Sequence, residues 1–359
     1  MTLKYRPLRI LYVAPLANGS FGLYRKKSLE RLGHTIIPID LARYENHGNP
    51  LWAKIRYRLQ IGATVSRLNQ TVLHLAREHN VDVAWFDKPL FIRRATLQAL
   101  RTQGIVTVDY MIDNPFGPRR DPGFRLYIRT IPDYDIHAQQ RDSSLAEYRR
   151  RGAPTVVKVQ TAYEPSVHFP PPAGWSDKDR TRGVSFIGSP YDDRAAFLTQ
   201  LWAKYDLPVV ITGPRVWEKK LSREALAALC PQSGEFFDDA YREGIWRSKI
   251  NLSFLTHSNQ DEYAHKSFEI AACGGFLLAE RCPGHTERFE EGREAVFFSG
   301  VEECADKCRY YLANESVRNK ISQAGQRRAV ASGYDNDTQM RRILGVVFNN
   351  LAAQQGSHP

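Results

Sequence analysis

The sequence predicts an α/β protein with two doubly wound domains in tandem. Apolar, β-rich runs alternate with segments of helical spacing in the first half, and the same alternation begins again after a proline-rich break. Strands that alternate with helices imply a parallel sheet with helices on both faces. A chain of 359 residues, 42% of them hydrophobic, is long enough to bury two cores of ordinary size.

The first half contains four apolar runs that we predict to be strands. They lie at residues 9–15, 35–41, 81–87 and 105–112. Segments with helical spacing follow the first three strands; the second of these is a long helix over about 52–79. Gly104 closes the third predicted helix, because glycine readily adopts the left-handed conformation of a helix C-terminus.

The second half begins after "FPPPAGWSDKDRTRG", residues 169–183, whose prolines and charged run are typical of a linker. Beyond it we predict a helix over about 192–203 and four strands, at 183–190, 208–214, 249–255 and 275–280. We therefore place the domains at 1–172 and 183–335. We expect residues 336–359 to form a helix and tail that pack back towards the first domain.

Charge is unevenly distributed between the two halves. Residues 1–175 contain 26 Lys and Arg against 14 Asp and Glu, whereas residues 176–359 contain 24 against 25. A solvated basic face and contact with an anionic partner both explain this excess. The segment 51–68 is a candidate contact with an anionic partner or a membrane surface, because Trp52 and Leu59 can form an apolar stripe beside basic residues. The same stripe could instead pack on the domain's own sheet.

The cysteines favour a reducing compartment. All five lack the C-x-x-C spacing of common zinc sites, and their odd number argues against a disulfide framework. No segment reaches the roughly 18 apolar residues of a membrane-spanning helix. We expect a cytoplasmic protein, with peripheral association at the inner membrane face left open.

The candidate site lies in "DEYAHKSFEIAACGGFLLAE", residues 261–280, just after the strand predicted at 249–255. Ligands of open parallel sheets bind beyond the carboxyl ends of the strands. A helix that starts near Lys266 would present amide donors there, and Lys266 and His265 would add side-chain donors for phosphate. Glu269 could accept two hydroxyl protons from a ribose diol. An ordinary helix whose acids complement its own dipole fits the spacing equally well.

This segment resembles the nucleotide-sugar site of the GT-B glycosyltransferases, most closely the CgeB-like, spore-maturation-type group (glycosyl transferases group 1). Glu269 stands where that group has the second acid of an E-x7-E pattern, the acid that holds the donor ribose. Asp261 occupies the first position, so this chain reads D-x7-E. The group commonly has R-x-F-E, where this chain has Lys266-Ser267-Phe268-Glu269. Lysine keeps the positive charge of arginine but cannot form its two parallel hydrogen bonds.

The resemblance implies the GT-B architecture, in which two Rossmann-like domains face a central cleft. The N-terminal domain would bind the acceptor and the C-terminal domain the nucleotide sugar. "FIGSPYDDR" (186–194) resembles the first strand and loop of the C-terminal domain, and "ITGPRVW" (211–217) resembles a further loop. The implied donor-binding residues are Gly188, Arg194, Gly213, Asp261, His265, Lys266, Ser267 and Glu269.

In the first half, "DYMIDNPF" (109–116) resembles the Asp-Asp-Pro element of that group. If configuration inverts, a carboxylate must accept the acceptor's proton, and Asp113 is the candidate base. Asp113 could instead cap the turn before Pro115. Gly19 and Gly22 follow the first strand. Because glycine has no side chain, they would leave room for an acceptor to enter beside this loop. The sequence does not distinguish inversion from retention.

We predict neither a metal nor a cofactor. Asp133 and Asp135 form a D-x-D pattern, but the same pattern recurs at 177–179 and 335–337 and is therefore unspecific. GT-B enzymes offset diphosphate charge with a helix dipole and basic side chains. The donor substrate is a nucleotide-diphosphate sugar, with a UDP-sugar favoured.

The predicted function is transfer of a sugar to an acceptor hydroxyl, in glycan or surface polysaccharide synthesis or in modification of a polymer. One alternative is a non-hydrolysing nucleotide-sugar epimerase, which shares the two-domain architecture. Another is a nucleic-acid-directed glycosyltransferase acting on modified bases, suggested by the isoelectric point of about 9.4. Nucleic acid as a partner and the oligomeric state stay open.

Overall fold

The computed structural model describes residues 6–44, 50–118, 121–231 and 234–356. The chain divides into two compact units. One consists of Met1–Gln160 and Asn336–Pro359, and the other of Thr161–Asp335. The division after Gln160 places the segment 161–182 in the second unit, although the sequence suggested a boundary at 172 and a linker after it.

In the part of the chain that the structure describes, eleven strands form two sheets in which every strand pairing is parallel. The strands of the first unit are β1 Arg9–Ala14, β2 Thr35–Asp40, β3 Val83–Asp87, β4 Val106–Met111, β5 Ile136–Gln139 and β6 Thr155–Lys158. Those of the second unit are β7 Arg182–Ile187, β8 Val209–Thr212, β9 Ser248–Ser253, β10 Leu277–Glu280 and β11 Val296–Phe298.

Helices cover both sheets. Those of the first unit, apart from one at the end of the chain, are α1 Phe21–Arg31, α2 Pro50–Leu59, α3 Ala63–Glu78, α4 Arg94–Thr102, α5 Arg125–Thr130 and α6 Asp142–Arg150. Those of the second unit are α7 Arg194–Ala203, α8 Arg223–Leu229, α9 Asp238–Trp246, α10 His265–Ala272, α11 Pro283–Thr286, α12 Val301–Ala313 and α13 Glu315–Ala331. The last helix, α14 Asn336–Gly356, belongs to the first unit.

The two sheets share one strand order, which confirms the predicted doubly wound fold. The first sheet runs β2-β1-β3-β4-β5-β6 and the second, read from its other edge, runs β8-β7-β9-β10-β11. In this order the chain reverses direction across the sheet between its first and third strands. Ligands of such sheets bind at that switch point, which is β1/β3 in the first unit and β7/β9 in the second.

The first sheet is buried between two apolar clusters. On one face, Ile10, Tyr12 and neighbouring side chains pack with Met340 and Ile343 of α14. On the other face, α3 and α4 pack on alternate residues of the same strands. Helix α14 thus completes the core of the first unit, because its apolar side chains cover one face of the sheet.

The long helix predicted over about 52–79 is two helices, α2 and α3. The chain breaks between them at Gln60 and Gly62, which have φ angles of 56° and 118°. A helix requires negative φ, and the second value is one that glycine alone adopts easily. The side chains of Trp52 and Arg56, part of the candidate surface contact, lie outside the described residues.

The run at 169–183 is packed on the second unit. The Trp175 ring lies 5.7 Å from the Trp246 ring, centroid to centroid. Asp177 forms ion pairs with the buried Arg318 and, at 3.2 Å, with Lys249. The charged run was predicted to be a linker, but Asp177 within it pairs with basic side chains that lie far along the chain. No helix in the described part of the chain is long and apolar enough to cross a lipid bilayer.

Candidate active site

Helix α10 begins at the switch point of the second sheet. Strand β9 ends at Ser253, and the chain then turns through residues 254–264 before α10 starts at His265. The residue before the helix, Ala264, has no side chain that could cap it. The helix thus starts without a side-chain cap, and the positive end of its dipole favours an anion.

Glu269, one turn into α10, is a buried carboxylate with a full set of neighbours. The Tyr241 hydroxyl donates to Oε2 at 2.6 Å, and Nε2 of His265 lies 3.1 Å from Oε1. Burial alone would raise the pKa of Glu269, but the nearby His265, His168 and Lys266 lower the pKa far below its usual range. Glu269 is therefore negatively charged at neutral pH.

Lys266 is a partly buried cation beside Glu269. Its ammonium lies 5.3 Å from the centroid of the Tyr241 ring, and no carboxylate of the described residues forms an ion pair with it. Burial lowers the pKa of Lys266, although Glu269 opposes the change. Buried charges are normally paired, and the Lys266 ammonium is placed where it could pair with an anion.

Gly188, at the end of β7, leaves the room that Lys266 occupies. A Cβ at this position would lie 3.3 Å from Cε and 3.4 Å from Nζ of Lys266. The Gly188 carbonyl accepts a hydrogen bond of 2.8 Å from the Trp217 indole. A Cβ at Gly213 would collide with that carbonyl and with Trp217. Gly213 is thus required for packing behind the loop that carries Gly188.

Arg194 and Ser267, which the resemblance assigns to the donor, form internal hydrogen bonds. The Arg194 guanidinium, 6% exposed, donates to the Leu255 carbonyl at 2.9 Å and the Ser189 carbonyl at 3.1 Å. It thereby ties the loop after β7 to the loop after β9. The Ser267 hydroxyl lies 2.9 Å from the Ser253 hydroxyl. Both side chains thus stabilise the loops at the switch point through these hydrogen bonds.

The remaining donor candidates flank the start of α10. His265 contacts Glu269 through Nε2, as described, and the Thr161 hydroxyl through Nδ1. Asp261 accepts a hydrogen bond of 2.9 Å from the Asn259 amide, in a turn where Gln260 has a φ of 52°. The first acid of the D-x7-E pattern is therefore part of the turn before α10, whereas the second is buried within the helix.

Three neighbours of this site carry no local sequence signal. Tyr241, on α9, holds Glu269. His168 accepts a hydrogen bond from the Glu164 amide on Nδ1 at 3.0 Å, so the neutral ring directs its Nε2–H towards Glu269 at 3.8 Å. His285, on α11, accepts from the Ala264 amide on Nε2 at 3.0 Å. They come from distant parts of the sequence, and only the fold brings them to α10.

Asp113 lies in the first unit, just beyond the end of β4. Its carboxylate forms an ion pair of 2.7 Å with Lys88, and about a third of its side chain is exposed. The turn before Pro115 is capped by Asn114, whose side chain accepts from the Phe116 amide at 3.0 Å. Lys88 follows β3 and has a φ of 56°, a strained value of the kind that clusters at functional sites.

The two glycines after β1 are required for different structural reasons, one conformational and one of packing. Gly19 has a φ of 75° in the turn that precedes α1. A Cβ at Gly22 would collide with the carbonyl of Pro15 and lie 3.0 Å from the Ala14 Cβ. Gly22 lets the start of α1 pack directly on the end of β1, and this packing brings its carbonyl to the Tyr12 hydroxyl at 2.9 Å.

The D-x-D residues form ion pairs and hydrogen bonds within the first unit. Asp133 forms an ion pair of 2.8 Å with Arg94. Asp135 pairs with Arg101 at 3.1 Å and accepts from the Thr107 amide at 2.8 Å. Within the described ranges, no cluster of His, Cys, Asp and Glu side chains has the arrangement of a metal site.

Comparisons with known proteins point to one fold. Residues 194–345 match the family described as glycosyl transferase-like. A glycosyltransferase from Rickettsia africae superimposes with a TM-score of 0.67 at 15% identity, covering 97% of this chain and 99% of that one. The sucrose-phosphate synthase of Thermosynechococcus elongatus gives 0.67 at 12% identity, covering 96% and 100%.

A third structure is Anabaena HepE in complex with UDP-glucose, with a TM-score of 0.65, 13% identity and coverage of 95% and 100%. No functionally curated protein matches the chain in sequence. At these identities the superpositions show that the chain has the GT-B fold. The family match over the second unit supports a glycosyltransferase of the GT-B type.

Proposed function

We propose that the protein is a glycosyltransferase that moves a sugar from a UDP-sugar to an acceptor hydroxyl, with the donor bound at the start of α10. The observation that carries the proposal is the Lys266 ammonium. It lies against Gly188 at the switch point and has no carboxylate partner among the described residues. A diphosphate supplies the missing negative charge, and the positive end of the α10 dipole favours it.

Glu269 suits the ribose of the same donor. Each carboxylate oxygen offers two acceptor positions. Tyr241 donates to Oε2, and the ring of His265 lies 3.1 Å from Oε1; both oxygens have a further acceptor position that a hydroxyl can use. Two adjacent ribose hydroxyls can therefore donate to the two oxygens. Because the carboxylate stays charged, these hydrogen bonds are of the stronger, charge-assisted kind.

Lys266 also fits the chemical step. When the bond between the anomeric carbon and the diphosphate breaks, negative charge develops on the leaving oxygen. A cation and amide dipoles already held at that place stabilise this charge without reorganisation. Asp113, paired with Lys88, is our candidate for the base that accepts the proton of the acceptor hydroxyl. We further propose that no metal ion is required.

The choice of UDP and the wider role rest on resemblance. The Anabaena HepE structure contains UDP-glucose. The D-x7-E arrangement and Lys266-Ser267-Phe268-Glu269 resemble the CgeB-like group. On these grounds we propose a cytoplasmic enzyme that acts in glycan or surface polysaccharide synthesis or modifies a polymer.

Titration calorimetry with UDP, GDP, dTDP and CMP tests the donor site. We expect UDP to bind, and Lys266→Ala and Glu269→Gln to weaken its binding by about ten- to a hundredfold, since a hydrogen bond to a charged group contributes about 1.5–3 kcal/mol. Lys320→Ala, at an exposed lysine on α13, is the matched control and should leave the affinity unchanged. Unchanged UDP affinity in both site variants would contradict the assignment of the donor site.

A further inference from the structure

The first unit contains a cavity at its own switch point. Its volume is about 520 Å³, within the range of pockets that hold small-molecule ligands. It is lined by residues at the ends of β1 and β3 and by α2, α3 and the short helix after β2. Its walls are mainly apolar; they include Val13, Leu41, Val65, Leu68, Leu90 and Ile92.

Among the described residues, five with polar side-chain groups line this cavity: Tyr44, Lys54, Tyr57, Thr64 and Lys88. Lys88, in its strained conformation, is paired with Asp113. The Tyr57 hydroxyl donates to Asp121 at 3.1 Å. Lys54 also lines the cavity, on α2, and no acid of the described residues pairs with its ammonium. The lining thus combines apolar walls, the Lys54 ammonium, for which the described residues show no acidic partner, and Lys88, which pairs with the candidate base Asp113.

The opening of the cavity has exposed apolar surface. Ile61, between α2 and α3, lines the cavity and is 56% exposed, and the neighbouring Leu59 is 57% exposed. A polyhydroxylated sugar would need hydrogen-bond partners along all of the walls, whereas ten of the fifteen described lining residues are Val, Leu, Ile, Phe or Pro. An apolar ligand gains free energy by removing the same surface from water.

We propose that this cavity binds the apolar group of an amphiphilic acceptor whose anionic group pairs with Lys54. The hydroxyl that receives the sugar then lies towards the Lys88–Asp113 pair. This inference rests on the proposed transferase function and names the class of acceptor: a single-chain molecule with an apolar portion and one negative charge. The basic excess of residues 1–175 favours the approach of such an anion.

Binding is measured on the full chain with three probes: dodecyl phosphate below its micellar concentration, dodecyl maltoside and inorganic phosphate. Dodecyl phosphate has both an alkyl chain and a negative charge. Dodecyl maltoside lacks the charge, and inorganic phosphate lacks the alkyl chain. We expect dodecyl phosphate to bind about tenfold or more tightly than either of the others, because both the apolar contact and the charge pair contribute. Equal affinity for dodecyl phosphate and inorganic phosphate would overturn the role of the apolar walls.

Two substitutions at exposed positions test the location without disturbing a core. Ile61→Asp places a carboxylate at the opening, and Lys54→Glu reverses the charge of this side chain. Each should weaken binding of dodecyl phosphate by about tenfold or more. The matched controls are Val330→Asp, 54% exposed, and Lys320→Glu, both on α13 of the second unit. An equal loss in the controls would indicate non-specific adsorption and overturn the proposal.

Titration of the same variants with UDP separates this inference from the proposed function. If UDP binds but dodecyl phosphate does not, the amphiphile site is wrong and the donor site stands. If UDP fails to bind, the donor site itself is wrong. A transfer assay with a hydroxylated single-chain phosphate completes the test. We expect Ile61→Asp to raise its KM about tenfold or more with little change in kcat; an unchanged KM would overturn the proposed occupant.

Discussion

Replacing His285 by glutamine should flatten the pH dependence of the free energy of unfolding between about pH 7 and about pH 5. His285 is fully buried, and its burial lowers the pKa from 6.5 to about 4. The neutral ring donates from Nδ1 to the Glu280 carbonyl at 2.7 Å and accepts the Ala264 amide on Nε2. A proton on Nε2 would face the Ala264 N–H, so the folded protein resists protonation.

The sign follows from the direction of the pKa shift. The folded pKa lies below the unfolded one, so the contribution of His285 is present above about pH 6.5 and is lost as the pH falls towards about 4. As the pH falls through this window, the proton excess of the unfolded chain over the folded chain rises towards about one. Between about pH 7 and about pH 5 the two pKa values give a loss of ~2 kcal/mol.

Urea unfolding of the wild type and of His285→Gln, at closely spaced pH values, measures this loss. The slope of stability against pH, and not the absolute stability of the variant, decides the outcome. His74→Gln, at a side chain that is 74% exposed, is the control and should keep the wild-type slope. Wild-type and His285→Gln curves that fall in parallel would refute the reasoning.

Three further outcomes follow from the site. Tyr241→Phe removes the hydroxyl that holds Glu269 and should weaken UDP binding about tenfold, as calorimetry can measure; an unchanged affinity would remove Tyr241 from the site. Asp113→Asn should lower kcat by about 10²- to 10⁴-fold with UDP affinity intact, and an unchanged kcat would exclude Asp113 as the base. EDTA should leave activity in place. Complete loss, restored by Mn²⁺, would return Asp133 and Asp135 to consideration.

The order of the elements could be predicted because their signal is local. Continuous apolar runs such as 9–15 and 249–255 are what a strand buried on both faces requires, and they correspond to β1 and β9. The break between α2 and α3 was missed, because the helical spacing of apolar residues continues across Gln60 and Gly62. The packing of 161–182 on the second unit was missed as well, because its partners, Arg318 among them, lie elsewhere in the sequence.

The same limit applies to the candidate site: local spacing could be predicted from the sequence, but tertiary contacts could not. Lys266 and Glu269 lie on one short helix, so their spacing already places them on neighbouring turns. The state of Glu269 could not be read from that spacing, since its charge depends on burial and on a hydrogen bond from Tyr241, 28 residues earlier. No sequence pattern identifies His285 either, although its ring accepts a hydrogen bond from the Ala264 amide just before α10. Local patterns identify candidate residues, and tertiary contacts determine the chemistry of those residues.

The two units show that strand order locates a ligand site without defining its chemistry. Both sheets reverse between their first and third strands, so both have a crevice at the equivalent edge. In the second unit this edge presents Lys266 and the charged Glu269, which suit a diphosphate and a ribose. In the first unit it presents apolar walls and the Lys88–Asp113 pair. A charged donor and a partly apolar acceptor would therefore each be recognised by the side chains of one unit, and exchanging the loops, not the sheets, should change the specificity.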